Sequence, residues 1–416
     1  MDLTVSIEIE GEQIVAGKIE YKNNKNARFI YDESFVDKGY APISISLPIQ
    51  KEPFSEMETR NFFEGLLPEG FTRRSIAGII RADEDDYLSL LKALGNECIG
   101  AIRVFETDSE VSVWEYEKLT MNKLKRLASE GAVESAKILT GTRLSLAGAS
   151  GKVGLAYDGK GYWYLPHGLA PSTHIVKQSH VRLHDIVINE CLIMRAAKNV
   201  GLNASNCIII NSGKGSDGEV LLASERFDRL YENPVFEKGK FKKIKRLHQE
   251  DFAQILSINS LNKYEREGDH YLKSMFDVIR KYSAEPIEDS MELWKRLVFD
   301  FLTGNADCHL KNFSMLYSEN LKSMRLAPMY DALSTRIYDE TTRDFAFNIN
   351  GKYRIDEITK DDFIAASMDA GIAPKKAKEL FDEVESKLQI ALDNARDELL
   401  NEGYGKAIEI RKKIKY

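Results

Sequence analysis

The sequence of 416 residues predicts an α+β fold of two lobes, with a β-rich amino-terminal subdomain and a mainly helical carboxy-terminal lobe. Three observations carry this expectation. Alternating or clustered β-type runs crowd the first third, and apolar residues at helical spacing dominate beyond residue 250. Strands first and helices later is the order of an α+β chain. The chain is also too long for one ordinary core. Its pattern divides into a β-rich subdomain at 1–118, a small lobe at 119–236 and a helical lobe at 237–416.

In chain order, residues 5–9, 14–21 and 29–31 read as strands, and 43–48 alternates until Pro48 ends it. From Glu56 helical spacing sets in. Phe62, Phe63, Leu66 and Leu67 are stopped by Pro68, then Tyr87, Leu88, Leu90, Leu91 and Leu94 by Gly95. Residues 99–105 return as a strand, and the polar stretch 106–118, with Trp114 and Tyr116, separates it from the small lobe. Residues 144–155 read as strand, small-residue turn and strand, Asp158-Gly159 as a hairpin turn, 162–165 as a strand, and 174–177 as a short strand ending in Lys177. Asp185 is placed to cap an amphipathic helix that carries Ile188, Cys191, Leu192 and Val200 and stops at Gly201. Further helices are expected around 252–256, 275–279, 293–302, 363–368 and 377–400, with Gly304 ending the third of these just before Asp307.

A hydrophobic content of 43% with 30% charged residues is that of a soluble globular protein. No apolar run reaches the length of a membrane span and the first residues lack a signal-peptide pattern, so a cytoplasmic protein without membrane contact is expected. Cys98, Cys191, Cys207 and Cys308 show no paired spacing, which favours reduced thiols over disulfides or zinc. A net charge of −7 argues against wholesale nucleic-acid binding. The basic runs 238–246 and 411–415 suit either an acidic partner or a solvated surface.

The most informative segment is Asp307-Cys-His-Leu-Lys-Asn312, followed nineteen positions later by Asp331. Phosphoryl transfer needs a carboxylate to take the proton of the attacking hydroxyl, then an amide oxygen and a second carboxylate to hold magnesium. An Asp and an Asn separated by four residues is the catalytic-loop spacing of protein kinases. Between them and Asp331, residues 313–317 and 324–329 read as a hairpin that returns the chain to the same end. Turn residues following a helix are the plainer reading of the same spacing. Upstream, Gly148 and Gly151 give a turn whose backbone N–H groups can approach phosphate, although a simple hairpin also explains it. Gly148-Ala-Ser-Gly-Lys152 lacks the spacing of a Walker A loop. Lys177 on its strand and Glu190 on the next helix suit the lysine–glutamate pair that sets a lysine on nucleotide phosphates, with an exposed helix glutamate as the alternative. Glycine turn, lysine strand, helix, catalytic loop and metal carboxylate come in kinase order, hence a protein-kinase-like fold.

The chain carries the motifs Ile45-Ser-Leu-Pro-Ile-Gln50, Phe62-Phe-Glu-Gly-Leu-Leu-Pro68, Ser145-Leu-Ala-Gly-Ala149, Thr173-His-Ile-Val-Lys177, Glu225-Arg-Phe-Asp-Arg229, Gln249-Glu-Asp251, Asp307 through Ser314 and Pro328-Met-Tyr-Asp331. Together they resemble the HipA-type serine/threonine kinase toxins of bacterial toxin-antitoxin operons. The resemblance covers nearly the whole chain and implies a HipA-like bilobal fold using ATP and Mg2+. By position it implies Asp307 as catalytic base, Asn312 and Asp331 as magnesium ligands, and Ala147, Gly148, Ala149, Lys152, Lys177, His309 and Lys311 around the nucleotide phosphates. Glu225 and Phe227 match the hinge that grips adenine, Asp228 would sit near the ribose, and Ser145 matches the autophosphorylated serine. Where the family has Gln-x-Lys this chain has Ser150-Gly-Lys152, which adds a second candidate hydroxyl. The implied substrate is an aminoacyl-tRNA synthetase, typically the glutamyl enzyme. The implied partner is a helix-turn-helix, HipB-like antitoxin, with DNA met only through it. A catalytically silent corepressor and a small-molecule phosphotransferase are the alternative readings.

Overall fold

The computed structural model describes residues 2–21, 26–107, 113–146, 151–180 and 182–415. The chain forms two compact units: Met1–Gln178 with Glu225–Leu261 and Leu316–Ser323, and Ser179–Ser224 with Asn262–Met315 and Met324–Tyr416. The divisions expected near 118 and 236 both fall inside the first unit, which joins the β-rich start to the lysine strand.

In the first unit, an antiparallel sheet runs in the order Arg28–Tyr31, Glu12–Glu20, Asp2–Ile9, Ile102–Glu106. Leu3, Val5 and Ile7 are fully buried at period two along the strand, and Ser6 and Glu8 on its other face are buried as well. The register shifts between Val5 and Ser6, making a bulge. Beside it Gly17 is obligatory, because a Cβ there would lie 2.2 Å from the Ile30 carbonyl oxygen.

Residues 43–48 do not form the expected strand. Tyr31 Oη takes the Ile43 N–H at 3.0 Å and donates to the Leu47 carbonyl at 2.6 Å, while Ser44 and the Ile45 N–H donate to Glu250. Buried side chains thus satisfy the polar groups that a neighbouring strand would have paired. The helix Glu56–Glu64 opens with a Ser55/Glu58 capping box and ends at Gly65, before the expected stop at Pro68. Tyr87–Leu94 stops at Gly95 as expected. The polar stretch after 105 is no linker, since Trp114–Lys118 pairs with Trp163–Gly168. The helices Gly70–Ile80 and Met121–Thr142 had not been anticipated, and they pack together. The second is interrupted at Gly131, whose φ of 60° and ψ of −136° leave the helical region. The 252–256 region is a single turn, Phe252–Ile255, capped by Asp251 and Gln254.

The second unit is built on three helices, Ile186–Val200, Pro286–Thr303 and Pro374–Asn401, the last packing on both others. Trp294, Phe301, Phe345, Phe363 and Phe381 form an aromatic cluster among them. Asp185 does not cap its helix as expected. It sits at φ 57° with no capping bond, and its own N–H donates to the Asp217 carboxylate at 2.9 Å. Asp344–Ile349 and Lys352–Arg354 add a hairpin that the sequence pattern had not suggested. All four cysteines are free and buried. Despite their sequence spacing, Cys191 and Cys207 meet with Sγ atoms 3.4 Å apart. No described helix is long and apolar enough to cross a membrane.

Candidate functional site

The helix Pro286–Thr303 delivers the catalytic-loop segment. It ends at Gly304, where φ of 73° places the residue in the left-handed region and its N–H closes on Asp300 and Phe301 carbonyls. A Cβ on Gly304 would meet Arg336 Cβ at 2.7 Å, so glycine is required twice over. Side chains then replace the helical ladder. Asn305 donates Nδ2 to Asp300 at 2.8 Å and accepts the Asp307 N–H at 3.2 Å, and Ala306 N–H donates to Thr335 Oγ1 at 2.9 Å. Burial pushes the Asp300 carboxyl up to about 7 despite its Asn305 bond.

The Asp307 carbonyl accepts the His309 N–H at 2.9 Å and Asn312 Nδ2 at 2.8 Å. The single turn Leu310–Asn312 comes next, with His309 and Lys311 each 7% exposed. Asp307, Asn312 and Asp331 are half-buried, the exposure a reacting group needs. The expected hairpin is present as Ser314–Tyr317 and Met324–Leu326. Its return strand continues into Met329, whose N–H and carbonyl bond to the backbones of Asn203 and Ser205. Tyr330 then points its hydroxyl at the Lys311 carbonyl, 2.8 Å away, and at Ser314 Oγ at 2.5 Å. The residue before Asp331 is therefore bonded to the residue before Asn312. Asp331 itself adopts φ 58°, a left-handed conformation unusual outside glycine.

These contacts bring the Asn312 and Asp331 segments together in one unit. Asn312 spends its Nδ2 on Asp307, which leaves the amide oxygen as the atom that could meet a cation. One carboxylate and one amide oxygen suit magnesium, which binds through few protein oxygens and keeps water and phosphate for the rest of its shell. Among the described residues no group of three or more His, Cys, Asp or Glu could hold a metal.

In the first unit, Lys152–Tyr157 pairs antiparallel with His174–Gln178, and Lys152 stands directly opposite Lys177. Both are buried, at 9% and 7% exposure. Like charges facing each other across a strand pair are destabilising unless anionic groups share them. Next to them a Cβ on Gly151 would lie 1.8 Å from Gln178 Nε2, so any side chain there would have to displace Gln178. Ala147, Gly148, Ala149 and Ser150 lie outside the described residues. Ser145 is fully buried, its N–H on the Glu97 carbonyl at 2.7 Å and its hydroxyl donating to the Leu66 carbonyl at 2.7 Å. Residues 144–146 form no strand.

Glu225 and Phe227 are half-buried, and Glu225 accepts the Tyr231 hydroxyl at 2.8 Å. Asp228 corrects the sequence reading. It is 1% exposed, with Oδ1 taking Arg226 Nε at 2.8 Å and Oδ2 taking the Gly100 N–H, Arg226 Nη2 and Gln249 Nε2 at 2.7 to 2.9 Å. Burial would raise this carboxyl, but the Arg226 and Arg229 guanidiniums outweigh it and hold it far below the usual range. Such a group braces the fold, and burial keeps both of its oxygens away from solvent. In the second unit Glu190 is 6% exposed, which removes the exposed-glutamate alternative.

One neighbour of Asp307 escaped the sequence reading. Tyr264 donates its hydroxyl to Asp307 Oδ1, and its ring meets the His309 ring edge-on at 5.1 Å. Forty-three residues separate it from Asp307, and no spacing rule links the two.

Comparison with known proteins agrees with this architecture. Residues 7–105 match the HipA N-terminal domain and 144–392 the HipA-like C-terminal domain. The Sinorhizobium fredii protein Y4mE is 31% identical over 367 residues, covering 86% of this chain and 84% of its own. The Shewanella oneidensis serine/threonine-protein kinase toxin HipA is 26% identical over 364 residues, covering 84% and 80%. A chain from the Shewanella oneidensis complex of HipA, HipB and operator DNA superimposes with a TM-score of 0.82 at 23% identity, covering 99% of this chain and 96% of that one. The fold is thus a HipA-like α+β fold. With the C-terminal domain matching more than half its length, the chain belongs to the HipA-type kinase toxin family.

Proposed function

We propose that this protein is an ATP- and Mg2+-dependent serine/threonine-protein kinase acting as the toxin of a toxin-antitoxin pair. The observation that carries this reading is the Tyr330–Lys311 bond, which draws the segments of Asn312 and Asp331 together behind Asp307. In this scheme Asp307 takes the proton of a serine or threonine hydroxyl. The hydroxyl oxygen bonds to the γ-phosphorus of ATP as the bond to the β-phosphate oxygen breaks, and ADP leaves. Asn312 and Asp331 would hold the metal, which would neutralise charge on the phosphate oxygens. Lys152, Lys177 and Lys311, each buried, supply cationic partners for phosphate, and His309 stands in the same turn. The hinge role falls to Glu225 and Phe227, without Asp228.

Ser145 is the proposed autophosphorylation site. Its burial against Leu66 means that the segment must leave its seat before the hydroxyl reacts, and a phosphate would not fit back. The proposed target is an aminoacyl-tRNA synthetase of glutamyl type, and the proposed partner a HipB-like antitoxin. Both follow the family, in which the Shewanella oneidensis relative occurs with HipB and operator DNA. A cytoplasmic location goes with such a target. Substituting Asp307→Asn or Asp331→Asn should cut transfer of labelled phosphate from ATP by roughly a thousandfold while the circular dichroism spectrum is retained. Undiminished transfer in both variants would end the proposal.

A further inference from the structure

We infer that the Tyr264 hydroxyl is a built-in placeholder for the acceptor hydroxyl, occupying Asp307 Oδ1 until a substrate serine or threonine displaces it. The inference rests on the kinase reading of Asp307 and deepens it. Asp307 is already positioned without Tyr264. Its carbonyl is held by Asn312 Nδ2 and the His309 N–H, its N–H by Asn305, and the preceding N–H by Thr335. The Tyr264 bond instead falls on a carboxylate oxygen, the kind of atom that must receive a proton in the reaction. A phenol presents to that oxygen the same group that an acceptor side chain would, an O–H aimed at a carboxylate.

The surroundings suit a displaceable side chain on a fixed backbone. Tyr264 is 37% exposed, although its neighbours are well anchored. The Asn262 carbonyl accepts the Tyr271 hydroxyl at 2.9 Å, the Lys263 carbonyl accepts the Leu310 N–H at 3.3 Å, and the Glu265 carboxylate accepts the Asn348 N–H at 3.2 Å. Releasing Asp307 would turn the Tyr264 side chain out of its edge-on contact with His309, while the bonds of Asn262, Lys263 and Glu265 hold the segment in place. Outside a complex, the occupied oxygen would discourage transfer of phosphate to water, because a water molecule must compete with a tethered hydroxyl.

The test compares Tyr264→Phe with the natural protein, using dephosphorylated casein as acceptor and, separately, ATP hydrolysis without acceptor. Phenylalanine keeps the ring against His309, and a second variant, Tyr264→Leu, with thermal unfolding of both, controls for folding. The expected result is an acceptor KM lower by about three- to tenfold, the scale of one lost competing hydrogen bond, with kcat unchanged and faster ATP hydrolysis. A fall in kcat at unchanged KM would overturn the inference and make Tyr264 a positioning residue. So would unchanged KM and hydrolysis, or intact-mass and peptide mapping that finds phosphate on Tyr264 itself. Asp307→Asn run in parallel separates the two layers. Full activity there would mean that the kinase reading has failed, whatever Tyr264 does.

Discussion

Three donors converge on the Glu250 carboxyl, the Ser44 hydroxyl at 2.6 Å, the Ile45 N–H at 3.1 Å and the Tyr317 hydroxyl, yet complete burial still pushes its pKa up to about 7. Asp228 is equally buried and shifts the other way, because two guanidiniums face it and none faces Glu250. The pH consequence for Glu250 has a definite sign. Below pH 4.5 native and unfolded chains both carry the proton, and between 4.5 and about 7 the unfolded chain loses it first. Stability must fall as pH rises through that window, by up to about 3 kcal/mol for this group. Glu250→Gln should flatten the slope of urea-unfolding free energy between pH 5 and pH 7.5, and an unaltered slope would mean that Glu250 is ionised in the native state. The sequence singled out Asp307, Asn312 and Asp331 at this scale because kinase chemistry demands those groups at that spacing, and the structure brings the Asn312 and Asp331 segments together. Tyr264 and the true employment of Asp228 were not, since each depends on a partner that no local rule places nearby.

Among the elements, the hairpin between Asn312 and Asp331 matters most, and Asp289 anchors it. This residue lies in the first turn of Pro286–Thr303 and is 4% exposed. It accepts Arg325 Nε and Nη2 at 3.0 Å, the Leu326 N–H at 2.9 Å and Ser283 Oγ at 2.5 Å. Asp289→Ala should destabilise the protein by about 2 kcal/mol, read as a lower urea midpoint at unchanged m value, because a charged acceptor with several donors is lost. The hairpin was readable from its two apolar runs and polar turn, as were the helices ending at Gly95, Gly201 and Gly304. Residues 43–48 alternate like a strand but are folded by Tyr31 and Glu250 into a turn. Met121–Thr142 carried a helix signal in its Thr120 cap and its Leu124, Leu127 and Leu139 positions, but Gly131 breaks the periodicity midway.

At the scale of the whole molecule, a net charge of −7 bears on the proposed pairing with a DNA-binding antitoxin. An acidic chain gains little from displacing counterions on the duplex, so operator binding should require the antitoxin. A gel-shift assay with operator DNA should show no complex for this protein alone and a shifted band once a HipB-like partner is added. A band with the protein alone would contradict this. The sequence by itself determined the composition class, the order of the kinase-like motifs and the family, because these depend on residue identity and short spacing. Only the tertiary structure decided that Lys152 faces Lys177, that Tyr330 joins the Asn312 and Asp331 segments, that Asp228 is spent on arginines and that Tyr264 covers Asp307. Each of those pairings is made by burial and hydrogen bonding after the chain has folded back on itself, and local propensity carries no record of which distant group arrives.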